Sequence, residues 1–152
     1  MRINSFSDVS LRLLMVLSSM PDDELATSRE LAEQVGTPYN HVSKAVLKLR
    51  QMGLLEAIRG RSGGVRITSA GKAATVGKVL RVLDDHSDVA ECVTDMGSCP
   101  LVHDCGLRGA LNHAREAFYV SLDNVTIYSL ARKTSNGPVP VTLSTARPSC
   151  SA

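Results

Sequence analysis

Apolar positions recur at helical spacing through most of the first fifty residues, and the period changes just beyond them. Val9, Leu13, Val16 and Leu17 share one face of a helix predicted over residues 8–20, which Pro21, Asp22 and Asp23 bring to an end. Thr27 and Glu30 then form a capping-box pattern, in which each side chain satisfies a free backbone N–H at a helix start. The short helix it opens carries Leu31, Ala32 and Val35 and stops at Gly36. Thr37 is placed to cap the next helix and Pro38 to occupy its first turn, and Gly53 supplies the stop after about residue 52. Two helices joined by a tight glycine-containing turn make a helix-turn-helix.

The second of these helices divides by face. Val42, Ala45, Val46 and Leu49 recur at three and four residues and should point to the core. Tyr39, Asn40, Ser43, Lys44 and Lys48 are left outside, with His41 near the boundary. Such side chains have the reach and chemistry for base edges and phosphates, although an isolated helix of this kind is more often simply solvated. The next segment of chain tips the balance toward DNA. Residues 54–58 and 65–67 read as strands, and between them lie Arg59, Gly60, Arg61, Ser62, Gly63 and Gly64. A helix-turn-helix followed by a two-stranded ribbon with a basic tip is a winged helix. The glycines allow the tip into a narrow minor groove, where negative potential favours Arg59 or Arg61. The fold class expected is therefore mainly α with a small β wing, a winged helix-turn-helix domain over residues 1–83.

A further short helix over residues 75–83 closes that domain. Residues 84–105 read as a loop, because Gly97 and Pro100 disfavour helix and strand. Beyond it, Leu107, Leu111, Ala114 and Phe118 recur at four, three and four residues along a helix to about residue 122, with Ala110 and Ala117 beside them. One small domain does not need so long a helix for its own core. Residues 106–132 are accordingly read as a dimerisation helix followed by a short one, since palindromic operators call for a two-fold symmetric reader. Residues 133–152 are rich in Pro, Ser and Thr and look like a flexible tail.

Charge sharpens the division. The formal net charge of +2 conceals 12 Lys/Arg against 7 Asp/Glu in residues 1–83 and 5 against 8 in residues 84–152. Within residues 40–81 nine basic residues face one acid, Glu56, a density that points to a polyanion such as double-stranded DNA. No stretch is apolar enough for a membrane span, and the patch at residues 13–17 lacks a signal-peptide cleavage site, so a cytoplasmic protein with reduced thiols is expected. No Ser/His/Asp or paired-carboxylate arrangement stands out, and four scattered histidines do not make a catalytic zinc site. An enzyme is the reading least supported.

The candidate chemistry sits in the loop. Cys92, Cys99 and Cys105 fall within fourteen residues, separated by six and five others, while Cys150 lies apart in the tail. Asp84, Asp85, Asp88, Glu91, Asp95 and Asp104 surround them without a Lys or Arg between residues 84 and 104. Soft thiolates gathered on a loop suit zinc, an iron–sulfur cluster or copper(I), and three ligands leave a site incomplete. Asp8 and Arg12, four apart, should share a helix face as an exposed ion pair, and spacing alone links neither to the cysteines.

An N-terminal helix, a winged helix, three cysteines in a loop, then a long helix: in this order of parts the chain resembles the bacterial iron–sulfur repressors that include IscR and NsrR. The resemblance spans about residues 1–132. It is carried by INSFSDVSLR at the start, PYNHVSKAVLKLRQMG in the recognition helix, IRGRSGG in the wing, and the cysteine loop running into LRGAL. In the IscR branch a histidine three residues beyond the last cysteine completes the site, and here that position is Arg108. In the nitric-oxide-sensing NsrR branch, the more similar one, an aspartate supplied by the partner subunit ligates a 4Fe–4S cluster, and Asp8 matches it. His103, two residues before Cys105, offers a different fourth donor. The resemblance thus implies a homodimeric repressor of operator DNA, with Cys92, Cys99, Cys105 and Asp8 as metal ligands and nitric oxide as signal. A regulator of iron–sulfur assembly or redox state with a 2Fe–2S cluster, and a zinc-stabilised DNA-binding module, are the alternatives.

Overall fold

The computed structural model describes residues 3–60, 62–84, 93–94, 97–100 and 105–133. Helix α1 (Ser5–Ser19) starts three residues before the span the apolar pattern predicts, because the side chain of Asn4 accepts the N–H of Ser7 and caps it there. Helix α2 (Ser28–Val35) opens with the expected capping box, Glu30 accepting from the backbone N–H of Thr27 at 2.7 Å. Its end is held by Gly36 at φ 62°, a left-handed conformation that costs glycine nothing. At α3 (Tyr39–Gln51) the start differs from expectation. Pro38 is the capping residue, its carbonyl accepting from His41 and Val42, while the Thr37 hydroxyl donates back to the Val35 carbonyl. Thr37 closes the turn rather than capping the helix.

The wing is an antiparallel pair, β1 (Leu55–Ile58) and β2 (Gly64–Ile67), in register from Leu55 opposite Ile67 to Ile58 opposite Gly64. Ala26, just before α2, joins its inner edge through two backbone hydrogen bonds with Val65. A side chain at position 64 would press on the Ala26 carbonyl at 2.8 Å, so this approach requires glycine. Helices α4 (Ser69–Ala73) and α5 (Val76–Leu83) come next, capped by the hydroxyls of Thr68 and Thr75. Within the cysteine segment two short strands, β3 (Val93–Thr94) and β4 (Gly97–Ser98), pair antiparallel. This departs from the loop expected there. The β-branched Val93 and Thr94 favour an extended backbone, and two residues suffice for one rung. Helices α6 (Gly106–Ser121) and α7 (Ile127–Lys133) complete the described chain.

One core joins both ends of the described chain. Leu13, Leu14, Leu31, Val42, Leu49, Val79 and Leu80 are fully enclosed, and so is Ile127 of α7. Helix α7 packs on α1, and the Ile127 N–H donates to the Ala74 carbonyl beside α4. Helix α6, by contrast, contributes a single buried residue, Tyr119. Among the described residues no helix is long and apolar enough to cross a membrane.

Candidate functional site

Helix α3 turns Val42, Ala45, Val46 and Leu49 into the core and exposes Tyr39, Asn40, His41 and Lys44. Lys48 is half-buried. Ser43 is placed less openly than its spacing suggests: its Oγ is enclosed and has no hydrogen-bond partner among the described residues. Three further residues turn outward that the sequence reading does not include, Arg50, Gln51 and Leu47, the last 53% exposed. Helical angle alone is enough to find them, since all three lie away from the four buried positions.

Arg59 is exposed at the end of β1, whereas Arg61 lies outside the described residues. The one acid of this basic region is engaged locally. Glu56 and Arg66 face each other across the ribbon, with Arg66 Nε donating to Glu56 Oε1 at 2.7 Å. Lys72 of α4 likewise pairs with Asp22. Lys44 and Arg59, both exposed, and the half-buried Lys48 have no such carboxylate partner among the described residues.

At the other end of the domain Asp84 gathers three segments. Its Oδ1 accepts from Asn4 Nδ2 at 2.5 Å and from Ser7 Oγ at 2.6 Å, and its Oδ2 from the Tyr119 hydroxyl at 3.3 Å. The start of α1, the end of α5 and the C-terminal part of α6 therefore meet at the last described residue before the cysteines. Burial, and secondarily the Asp84 carboxylate, pushes the Tyr119 hydroxyl pKa upward, which keeps it a donor. Alongside, Arg81 of α5 clamps α6. Its guanidinium reaches Glu116 at 2.7 Å and Asp123 at 2.8 Å and lies over the Tyr119 ring. Those hydrogen bonds hold both carboxyls below their ordinary range, and Arg81 itself is pushed further up.

Of the sequence-predicted metal ligands, Cys99 and Cys105 are half-buried and free, and Cys105 occupies the capping position of α6. Cys92, Cys150 and His103 lie outside the described residues. Asp8 stands in the first turn of α1, half-exposed and paired with Arg12 at 2.8 Å, which is the i,i+4 pair its spacing implied. No three metal-binding side chains converge among the described residues of this one chain. Of the face predicted for dimerisation on α6, Leu107 is 65% exposed, Ala110, Ala114 and Ala117 are exposed, Leu111 is half-buried, and Phe118 packs in part against the chain's own core.

Comparison with known proteins bears on all of these elements together. A family model described as "Rrf2: Iron-dependent Transcriptional regulator" matches residues 3–133. The "HTH-type transcriptional repressor NsrR" of Streptomyces coelicolor is 44% identical over 150 residues, covering 98% of this chain and 99% of that protein. The "HTH-type transcriptional regulator NsrR" of Bacillus subtilis is 32% identical over 87% of this chain and 91% of its own. Among solved structures, CymR, the global cysteine regulator of B. subtilis, superposes with a TM-score of 0.67 at 24% identity, covering 88% of this chain and 98% of that one. The T. potens IscR structure gives 0.67 at 16% identity, covering 88% of each chain. These two likenesses establish a shared fold.

Proposed function

The chain belongs to the Rrf2 family of iron-dependent transcriptional regulators, and from that premise we propose that it is a homodimeric repressor whose hold on operator DNA depends on an iron–sulfur cluster and is lost to nitric oxide. As a member of a family of regulators it is not an enzyme. The observation that carries the reading is the near end-to-end likeness to a named repressor in a chain that has three cysteines close in sequence and a half-exposed Asp8.

The donor set fits such a cluster. Cys99 and Cys105 carry free thiols just ahead of α6, Cys92 lies seven residues before Cys99, and the segment holds no Lys or Arg to compete for thiolates. One chain offers three sulfur ligands and needs a fourth, and we assign Asp8 of the partner subunit to that place. When bound, a 4Fe–4S cluster with one oxygen ligand supplies an iron that is more weakly held and open to a small diatomic molecule.

The other parts of a repressor are present as well. The apolar stripe of Leu107, Leu111, Ala114 and Phe118, exposed at Leu107 and Ala114, supplies the two-fold contact. Each α3 then presents Tyr39, Asn40, His41, Lys44 and Lys48, with Ser43 among them, to a major groove, and each wing brings Arg59 and Arg61 to the adjacent minor groove. Asp8 and the cysteines of opposite subunits strap the dimer. Releasing the strap lets the two recognition helices drift from the spacing of about 34 Å that successive half-sites demand. A coupling of ~1.4 kcal/mol already changes occupancy tenfold.

Anaerobic purification with absorption spectroscopy and iron and sulfide counts tests the proposal. A brown protein with about four irons per subunit, bleached by nitric oxide with loss of operator binding, is the expected result. About two irons would favour the 2Fe–2S regulator, and colourless zinc protein would sink the sensory role altogether.

A further inference from the structure

We infer that Leu47 is a base-reading residue of the recognition helix, recognising the 5-methyl group of a thymine in the major groove. The inference rests on the reading of α3 as the helix that enters DNA. Single exposed leucines are common on protein surfaces, so exposure alone says nothing. Position is what sets this one apart. At 100° per residue, Leu47 lies about 150° around the helix from the centre of the buried set Val42, Ala45, Val46 and Leu49, in the outward row of Asn40, Lys44 and Gln51. It is therefore the large apolar group nearest the middle of the face that would meet the groove.

Its surroundings choose the occupant. Lys44, Lys48 and Arg50 flank Leu47 on both sides along the helix, so a second copy of the same surface would bring cations against cations. A polyanion suits them instead. Within a DNA major groove the edges present donors, acceptors and one apolar group, the thymine C5-methyl. A leucine framed by cations and an amide complements that methyl group between phosphates. The same geometry locates the contact. Seven residues separate Leu47 from Asn40, about 10 Å along the helix axis, so the thymine should lie about three base pairs from the pair read by Asn40.

The test uses the full-length protein, purified anaerobically, and a duplex selected by it from a random-sequence pool. Each thymine is replaced in turn by deoxyuridine, which deletes only the methyl group. Wild-type affinity should fall about fourfold at one thymine per half-site, the worth of one buried methyl, and stay level at the others. Leu47→Ala, which keeps helix propensity at an exposed site, should bind the thymine duplex about fourfold more weakly and should not distinguish it from the deoxyuridine duplex. Leu47→Met should retain the distinction. Methyl discrimination surviving in Leu47→Ala, indifference of the wild type to every replacement, or equal weakening of random-sequence duplex by Leu47→Ala overturns the inference. Failure of the wild type to select any duplex would instead bring down the DNA-binding reading itself.

Discussion

The hydroxyl of Ser7, which is fully buried, donates to Asp84 Oδ1 at 2.6 Å across 77 residues of sequence. This bond ties the turn of α1 that carries Asp8 to the residue from which the cysteine segment departs. If Asp8 serves one cluster and the cysteines of the same chain serve another, Asp84 is where the two commitments of a subunit meet.

Asp84→Ala should therefore destabilise the fold by roughly 1–3 kcal/mol, because it leaves the enclosed Ser7 hydroxyl without an acceptor and frees Tyr119 and Asn4 as well. Asp84→Asn keeps one carbonyl oxygen and should cost less. Urea unfolding of the two variants beside the wild type checks this. Equal midpoints for wild type and Asp84→Ala would show that the junction carries no weight.

Acid should weaken the α5–α6 contact. Arg81 holds Glu116 and Asp123 below their ordinary range chiefly through its hydrogen bonds to them. A carboxyl whose folded pKa is depressed contributes stability that is fully present above its unfolded value, about 4, and is lost as pH falls through the folded one. Wild-type stability should thus be level from about pH 7 to about 5 in this respect and decline below about 4. Arg81→Gln should flatten that decline. An acid limb of unchanged steepness in the variant would place the titrating groups elsewhere.

The recognition helix and the wing should respond differently to mutation. Arg59→Ala removes an exposed cation and should weaken binding to all duplexes, with a shallower salt dependence. Asn40→Ala should cost ~1–3 kcal/mol and relax preference at one base pair. Uniform weakening by Asn40→Ala would mean that it holds backbone and reads nothing. Ser43, with its hydroxyl enclosed, should matter less for sequence preference than its helical position suggests.

Local rules carry much of this architecture in readable form. The capping box at Thr27, the stops at Gly36 and Gly53, the two faces of α3 and the strand–turn–strand wing depend on residues a few positions apart, and all appear where expected. The start of α1 escapes the apolar pattern because Asn4 caps through its side chain, ahead of any apolar position that the pattern uses. Long-range relations are not legible. Nothing local reveals that Ile127 belongs to the core built on Leu13, or that Asp84 answers Ser7, since periodicity says which face is buried and not against what. A ligand role for Asp8 is unreadable for a further reason: within one chain its visible partner is Arg12, and the proposed role requires a second subunit.

That second subunit is the subject of the sharpest experiment. Carboxylate is a poorer partner than thiolate for iron–sulfur iron, so a cluster selected only for stability would favour a fourth cysteine. An oxygen ligand makes sense where a small molecule must gain access. Asp8→Cys should keep the cluster and slow its reaction with nitric oxide, while Asp8→Ala should loosen it and alter DNA affinity. Mixed dimers then decide where the ligand comes from. One chain carries Asp8→Ala, and the other carries Cys92, Cys99 and Cys105 all changed to alanine. The intact Asp8 lies on the cysteine-less chain and the intact cysteines on the other. Ligation across the dimer predicts one cluster per mixed dimer, with the absorption spectrum and nitric oxide reactivity of the wild type. Ligation within a chain leaves no complete site, and the mixed dimer would then behave like the Asp8→Ala homodimer.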